Sequence, residues 1–297
     1  MALRRLLARG LVRTLVRRDL APSRSLAARR RAVDRAARLL RLPRGVRSMP
    51  AAGFPGSEWL LPAGVATADS GPAILYLHGG GFVLGSPRSH RSVAAHLAAA
   101  CARPVLLLDY PLAPEQAFPA APDTVLEAWE RVTAAGGRPI ALAGDSAGGW
   151  LALRLALQAG AMGLPAPTAM ALFSPLLDLG RASASTAPDL MLPPGFVAAG
   201  IRAFAGGLPP ADPRLDLLGQ SLAGLPPLFI AYDADEMLAP DSRRLAEAAA
   251  AAGVRVRVAA ESGLWHAWPL LAGLLPEAGA TLRQAAAVLA PRRGAVS

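Results

Sequence analysis

A serine flanked by small residues is the first candidate for chemistry in this sequence. Gly144-Asp145-Ser146-Ala147-Gly148 matches the G-x-S-x-G pattern, with an apolar run before it and a helix-forming run after it. A serine hydroxyl becomes a useful nucleophile when the backbone lifts it clear of its neighbours and a base takes its proton. A sharp strand-to-helix turn with small flanking residues does the lifting, so the sequence predicts a nucleophilic Ser146.

A glycine-rich segment follows the predicted strand Ala73–Leu77 and suggests how charge could be stabilised. It reads His78-Gly79-Gly80-Gly81-Phe82. Acyl transfer passes through a tetrahedral oxyanion, which needs main-chain N–H donors about 3 Å away. Successive glycines let N–H groups reach that position without interference from a Cβ atom. We predict donors at Gly80, at Gly81 and at Ala147, which follows the nucleophile.

The positions of the four histidines in the chain indicate different roles for them. His266 lies just past the last predicted strand, in a loop that can swing it over Ser146. His78 is expected to hold the glycine-rich loop by hydrogen bonds. His90 and His96 sit in a helical pattern early in the chain, where surface or packing roles are expected. We therefore predict His266 as the general base.

An acid must then hold the base. It has to stay ionised, accept a hydrogen bond from the imidazole and fix its tautomer. Nucleophile elbows of this kind have the chain order serine, acid, histidine. Four carboxylates after the predicted strand Leu228–Tyr232 compete on position alone: Asp233, Asp235, Glu236 and Asp241. Asp145 is adjacent to the nucleophile, in the wrong place to hold the base, and we expect it to be structural.

These candidates lie at the ends of short apolar runs that alternate with helical patterns. The predicted strands are Ala73–Leu77, Val105–Asp109, Ile140–Ala143, Ala169–Phe173, Leu228–Tyr232 and Val254–Ala259. The predicted helices are His90–Ala102, Pro122–Ala135, Ala147–Ala159, Asp241–Ala252 and Pro276–Leu289. Continuous apolar strands alternating with helices predict an α/β fold with a mostly parallel sheet covered on both faces. We expect one catalytic domain over residues 51–297, interrupted by a cap insertion near 181–210.

The net charge of +10 comes from the N-terminal segment and not from the body of the protein. Residues 1–50 hold fifteen arginines against Asp19 and Asp34, a net charge of +13, which leaves −3 for the other 247 residues. A basic footprint across the body, which a nucleic-acid-binding protein would need, is therefore missing from the sequence. We expect no nucleic-acid partner.

Leucine and valine recur at helical spacing between the arginines of residues 3–18 and 24–42. Three interpretations compete for this basic helical segment, residues 1–50. We favour a pair of helices that caps the mouth of the site. A basic amphipathic surface that touches anionic lipid, or a cleaved targeting peptide, would show the same pattern.

Six motifs, in this order and spacing, resemble the hormone-sensitive-lipase-like family of α/β-hydrolases, which includes bacterial acetyl esterases and short-chain carboxylesterases. The motifs are His78–Phe82, Asp109–Glu115 with Phe118–Pro122, Gly144–Gly149, Ser174–Asp178, Gly224–Pro227 and the pair Asp235 and His266. The resemblance covers roughly residues 55–290 and implies an α/β-hydrolase fold with a helical cap. It also implies that the acid is Asp235, in a D-x-L-like segment. Pro111 and Gln116 depart from the family pattern, which has arginine and histidine there.

The resemblance implies a serine carboxylesterase that hydrolyses short-to-medium-chain esters through an acyl-enzyme. Its triad would be Ser146, Asp235 and His266. An interfacial lipase and a lactone or amide hydrolase with the same triad are the alternatives, and a non-enzymatic ligand-binding member of the fold is disfavoured. The sequence contains no metal-binding or dinucleotide motif, so neither a cofactor nor a metal is expected. We expect a small-molecule ester as partner and a cytoplasmic location. Membrane contact through the basic N-terminus and a homodimer stay open.

Overall fold

An eight-stranded sheet runs through the protein, whose computed structural model describes residues 2–21, 23–68, 71–134, 138–209 and 212–289. Its strand order is β1-β2-β4-β3-β5-β6-β7-β8. The strands are β1 Arg47–Pro50, β2 Glu58–Leu61, β3 Ala73–Leu77, β4 Val105–Leu108, β5 Ile140–Asp145, β6 Met170–Phe173, β7 Leu228–Asp233 and β8 Val256–Glu261. Strands β3 to β8 pair in parallel, whereas β1 and β2 form an antiparallel hairpin that joins the sheet at β4.

The parallel pairing brings the ends of β3, β5, β6, β7 and β8 to one edge of the sheet. Leu77 pairs with Gly144, Asp145 with Phe173, and Asp233 with Glu261. Loops that follow the carboxyl ends of parallel strands carry the functional residues of open α/β sheets. The glycine-rich loop, Ser146 and the His266 loop all begin at this edge.

Helices cover both faces of the sheet. They are α1 Ala2–Leu11, α2 Arg17–Asp19, α3 Leu26–Ala37, α4 Pro87–Cys101, α5 Ala120–Ala134, α6 Ala147–Ala161, α7 Leu179–Ala184, α8 Phe196–Ala205, α9 Ala239–Ala251 and α10 Pro276–Leu289, with a π-helical turn Val12–Val16 and a 3-10 turn Trp268–Leu271. Alternate strand residues feed two hydrophobic clusters, one packed against α5, α6 and α9 and the other against α4 and α10. No helix in the described ranges is both long enough and apolar enough to cross a bilayer.

The predicted alternation of strands and helices is present, and β3 and α10 have the predicted bounds. Strand β5 runs two residues further than predicted, to Asp145, and so delivers the chain directly to Ser146. The prediction missed the β1–β2 hairpin because all four residues of β1 are exposed and show no apolar alternation. The first strand of the sheet therefore lies inside the predicted cap segment 1–50. Ala135, the predicted end of one helix, lies outside the described residues.

The N-terminal segment is fastened to the body by arginines. Arg30 on α3 makes a two-pronged contact with Glu115, 2.8 Å to each carboxylate oxygen, and donates to the carbonyl of Val83 at 2.8 Å. Glu115 belongs to the motif in which Pro111 and Gln116 depart from the family pattern. An arginine from the N-terminal segment therefore provides the cation that this motif lacks.

Candidate active site

Ser146 lies in a strained turn between β5 and α6. Its backbone has φ +50° and ψ −118°, a region that residues with a Cβ atom rarely adopt. Hydrogen bonds hold it there: its N–H donates to the carbonyl of Phe173, and its carbonyl accepts from the N–H groups of Gly149 and Leu176, each at 3.0 Å. The turn places Ser146 at the carboxyl edge of the sheet, where the sequence predicted the nucleophile.

The glycines around Ser146 are required by close backbone packing. A Cβ atom on Gly144 would lie 2.6 Å from the carbonyl oxygen of Gly148, and one on Gly148 would lie 2.0 Å from that of Leu77. Both distances are far below van der Waals contact. The turn therefore accepts no side chain at either position, which explains the G-x-S-x-G spacing.

Asp145 ties the glycine-rich loop to the nucleophile strand. Its Oδ1 accepts hydrogen bonds from the N–H of Gly79 at 3.1 Å and from the hydroxyl of Tyr76 at 2.8 Å. Gly80 and Gly81 follow with φ of +122° and +61°, conformations that favour glycine. The loop thus leaves β3 in a fixed direction, beside Ser146.

His78 also contacts the glycine-rich loop. Its ring is fully buried, its Nδ1 lies 2.9 Å from the carbonyl of Gly79, and it stacks on Tyr110 with 4.2 Å between ring centroids. The Tyr110 hydroxyl donates to the carbonyl of His78 at 2.5 Å. Burial lowers the pKa of His78 to about 3, so the ring is neutral at physiological pH.

His90 differs from its expected surface or packing role. It is buried, its Nε2 lies 3.4 Å from Oδ2 of Asp145, and its Nδ1 lies 2.7 Å from the Ser89 hydroxyl. Burial alone would raise the pKa of Asp145, but the nearby His90 and the Tyr76 hydroxyl lower it below its usual value. Asp145 is therefore ionised and held from both sides.

The loop that carries His266 is fixed by hydrogen bonds on several sides. The N–H of Leu264 donates to Oδ2 of Asp233 at 2.6 Å, and the N–H of Ala267 donates to the Ser174 hydroxyl at 2.9 Å. Arg9 of α1 donates to the carbonyl of Leu264 at 3.1 Å. His266 itself is buried, with 2% of its surface exposed.

Glu236 is the carboxylate that faces His266. Its Oε2 lies 3.8 Å from Nδ1 of His266, and both side chains are buried. The same oxygen accepts a hydrogen bond from the Ser174 hydroxyl at 2.7 Å. At 3.8 Å the contact is longer than a hydrogen bond, as catalytic contacts often are in structures without substrate.

The structure does not bring Asp235, the acid implied by the family resemblance, to His266. Asp235 is exposed, and its N–H donates to Oδ1 of Asp233 in the turn after β7. Because neighbouring side chains in this turn point in different directions, Asp235 faces solvent while Glu236 faces the core. Asp241 is buried elsewhere, where it accepts from the N–H groups of Leu177 and Asp178.

Glu236 was one of four open candidates from position alone, and a local signal favours it. It precedes the apolar pair Met237-Leu238, whose side chains are buried. Asp235 lacks that neighbour because Glu236 follows it.

The pair sets the protonation of the base. Burial lowers the pKa of His266, but the contact with Glu236 and the charges of Asp189 and Asp145 together outweigh this effect and raise the pKa above 6.5. Burial raises the pKa of Glu236 above its ordinary value. A protonated imidazole at this position would therefore be stabilised by a carboxylate that water does not screen.

A cavity of about 210 Å³ joins these groups. Ser146, His266, Gly80 and Gly81 line it together with apolar side chains of the N-terminal segment and with Phe196 of α8. Ala147 is the buried first residue of α6, directly after Ser146. A larger cavity of about 430 Å³ lies at the amino ends of β6 to β8 and holds none of the predicted site residues. Within the described ranges, no cluster of three or more histidine, cysteine or acidic residues is placed to bind a metal ion.

Comparison with known proteins identifies the class to which this fold and site belong. Residues 74–270 match the family model described as alpha/beta hydrolase fold, so the chain belongs to that family. The chain is 34% identical to an esterase of Acinetobacter venetianus over 220 residues, covering 72% of this chain and 73% of that protein. It is also 34% identical to an acetyl-hydrolase of Streptomyces hygroscopicus over 244 residues, 80% of each chain.

The structure resembles that of an esterase from the bacterial hormone-sensitive lipase family. The TM-score is 0.86 at 32% identity, and the match covers 96% of this chain and 98% of the other. The predicted fold, the predicted family and the enzyme class, an ester hydrolase, are confirmed.

Asp145→Asn should lower kcat by about tenfold or more with little change in KM. The variant removes the charge that fixes Gly79, and misplacing a single donor at the oxyanion costs about 10²–10³ in rate. Steady-state kinetics on a soluble ester measures the effect, with thermal unfolding as a check on folding. Asp212→Asn, which affects an ion pair with Arg214 away from the cavity, is the matched control. An unchanged kcat in Asp145→Asn would contradict the interpretation that Asp145 supports the glycine-rich loop.

Proposed function

We propose that the protein is a serine carboxylesterase whose triad is Ser146, Glu236 and His266. One observation carries the proposal: a strained serine, a buried histidine paired with a buried glutamate, and a glycine-rich loop meet at one apolar cavity. The three side chains come from the ends of β5, β7 and β8. Residues 1–46 and the insertion near 181–210, which both contribute to the cavity, are proposed as its cap.

The reaction is acyl transfer through the serine. Ser146 Oγ attacks the ester carbonyl while His266 takes its proton, and a tetrahedral oxyanion forms. Main-chain N–H groups of Gly80, Gly81 and Ala147 stabilise that anion. His266 then protonates the leaving alcohol, and the acyl-enzyme remains on Ser146. A water activated by His266 releases the acid and restores the hydroxyl.

The size and lining of the cavity support short-to-medium acyl chains. Its volume of about 210 Å³ lies below the roughly 300–1,000 Å³ of sites that enclose drug-sized ligands. Apolar side chains such as Leu20, Val33 and Phe196 surround the catalytic groups. A small apolar space favours a short acyl group and gives a long one no room inside the cap.

The cavity mouth favours hydrolysis of esters presented at a lipid–water interface as a second candidate. Leu39 and Leu274 line the cavity and remain 77% and 47% exposed. An apolar rim of this kind would contact aggregated substrate. A cytoplasmic location and a homodimer stay predictions.

Hydrolysis of p-nitrophenyl esters from acetate to palmitate tests the reaction and the chain length together. We expect the short esters to be preferred, and Ser146→Ala to lose at least about a thousandfold in kcat, since removal of a triad serine leaves only residual catalysis. A preference for palmitate that begins where this substrate aggregates would favour the interfacial candidate. Full activity in Ser146→Ala would refute the serine mechanism.

Glu236→Gln should lose about 10²–10⁴ in kcat, because the amide neither fixes the imidazole tautomer nor stabilises the imidazolium. Asp235→Asn, one residue away and exposed, is the matched control and should stay within about twofold of wild type. Kinetics on a short ester measures both. A large loss of kcat in Asp235→Asn with little loss in Glu236→Gln would show that Asp235 is the acid of the triad.

The pH dependence of kcat/KM tests the pairing of His266 with Glu236 independently. The base must be neutral, so kcat/KM is lost as the pH falls through the pKa of His266, which the pair raises above 6.5. Without the charge of Glu236, burial should shift this acidic limb to lower pH in the residual activity of Glu236→Gln. Asp235→Asn should leave the limb in place. A limb that does not move in Glu236→Gln would show that the carboxylate does not set the charge of the base.

A further inference from the structure

Six exposed leucines line the catalytic cavity or lie within two helical turns of residues that line it. Leu6 and Leu7 of α1 are 65% and 67% exposed. Leu11 and Leu15 continue the same face and line the cavity while remaining exposed. We call the set formed by these four side chains with Leu39 and Leu274 the mouth surface. Buried leucines stabilise a fold, whereas these six leave apolar area in water beside the cavity.

The orientation of α1 is fixed by two of its three arginines, Arg5 and Arg9, which face the body of the protein. Arg5 donates to the carbonyl of Gly263 and Arg9 to that of Leu264, both at 3.1 Å. Arg17, beyond the π-helical turn, donates to the carbonyl of Leu192 at 3.1 Å. These bonds hold Arg5 and Arg9 inward, whereas Leu6 and Leu7 of the same helix are directed outward together with Arg4.

A rim of free cations accompanies the mouth surface. Between residues 2 and 38, five exposed arginines make no ion pair with any described residue: Arg4, Arg13, Arg31, Arg35 and Arg38. The whole segment 1–50 carries a net charge of +13. An apolar surface bordered by unpaired arginines matches a membrane whose headgroups are negatively charged.

We propose that the mouth surface docks on an anionic lipid bilayer. The leucines enter the boundary between headgroups and acyl chains, and the arginines contact the lipid phosphates. The cavity mouth then faces the lipid, so an apolar ester can enter without crossing water. A second copy of the chain fits this surface poorly, because a two-fold contact would bring the two arginine rims together. Docking does not depend on the serine chemistry.

Vesicle co-sedimentation of the full-length Ser146→Ala protein tests the docking without hydrolysis of the lipids. We expect binding to vesicles of phosphatidylcholine mixed with phosphatidylglycerol, weaker binding at raised salt, and little binding to phosphatidylcholine alone. The double change Leu6→Ser and Leu7→Ser should weaken binding by about tenfold or more, given the apolar area removed. Met162→Ser, equally apolar and 54% exposed at the far end of α6, should not.

The charge is tested separately. Arg4→Gln with Arg13→Gln should weaken binding by about fivefold for each arginine, whereas Arg255→Gln, exposed at the amino end of β8, should have no effect. Leu6 and Leu7 do not line the cavity, so their variants should hydrolyse a soluble short ester normally when Ser146 is present, which also shows that they fold.

Three results would overturn the proposal. The first is equal binding by the leucine double variant and its parent. The second is binding to neutral and anionic vesicles alike at every salt concentration. The third is a leucine-dependent dimer in sedimentation velocity with no vesicle binding, which would assign the surface to a second copy. An inactive enzyme that still binds anionic vesicles would contradict the proposed function and leave the docking intact.

Discussion

A buried charge on one side of the imidazole governs the chemistry of this site. Glu236 lies where a lone carboxylate would take up a proton, since burial raises its pKa. The neighbouring His266 and the Ser174 hydroxyl oppose that effect. Neither member of the pair is stable there without the other, and breaking such a pair typically costs about 3–5 kcal/mol. In the proposed mechanism, this unscreened carboxylate favours the imidazolium that acyl transfer requires.

The surrounding carboxylates fix the loops that make the pair possible. Asp145 holds the glycine-rich loop, Asp233 holds the loop of His266, and Asp241 holds the segment after β6. Loops at the carboxyl edge of a parallel sheet leave N–H groups without strand partners, and buried N–H groups must find an acceptor. Four acids near one edge therefore have different contacts, and the one proposed to serve catalysis, Glu236, is the one whose carboxylate faces the imidazole.

Most of the candidate site could be located from the sequence because most of it depends on local constraints. Ser146 and its glycines are specified by backbone packing, and His266 by its place after the last strand. The choice between Asp235 and Glu236 could not be made in that way, since both are at the right distance along the chain. The direction of each side chain is set by the turn after β7. The contact between His90 and Asp145 was not predicted for a related reason: a helical pattern does not tell which polar side chain meets a buried acid across the core.

The orientation of the N-terminal helix α1 also could not be predicted from the sequence pattern. Its spacing predicts an amphipathic helix, but spacing does not say which face is buried. The carbonyls of Gly263 and Leu264 determine which face is buried, because they accept hydrogen bonds from Arg5 and Arg9 and hold these two side chains inward. Those carbonyls belong to the loop that carries His266. Helix α1, which carries the exposed leucines, is thus hydrogen-bonded to the loop that carries His266. The position of the outer surface and the position of the proposed base therefore depend on the same contacts.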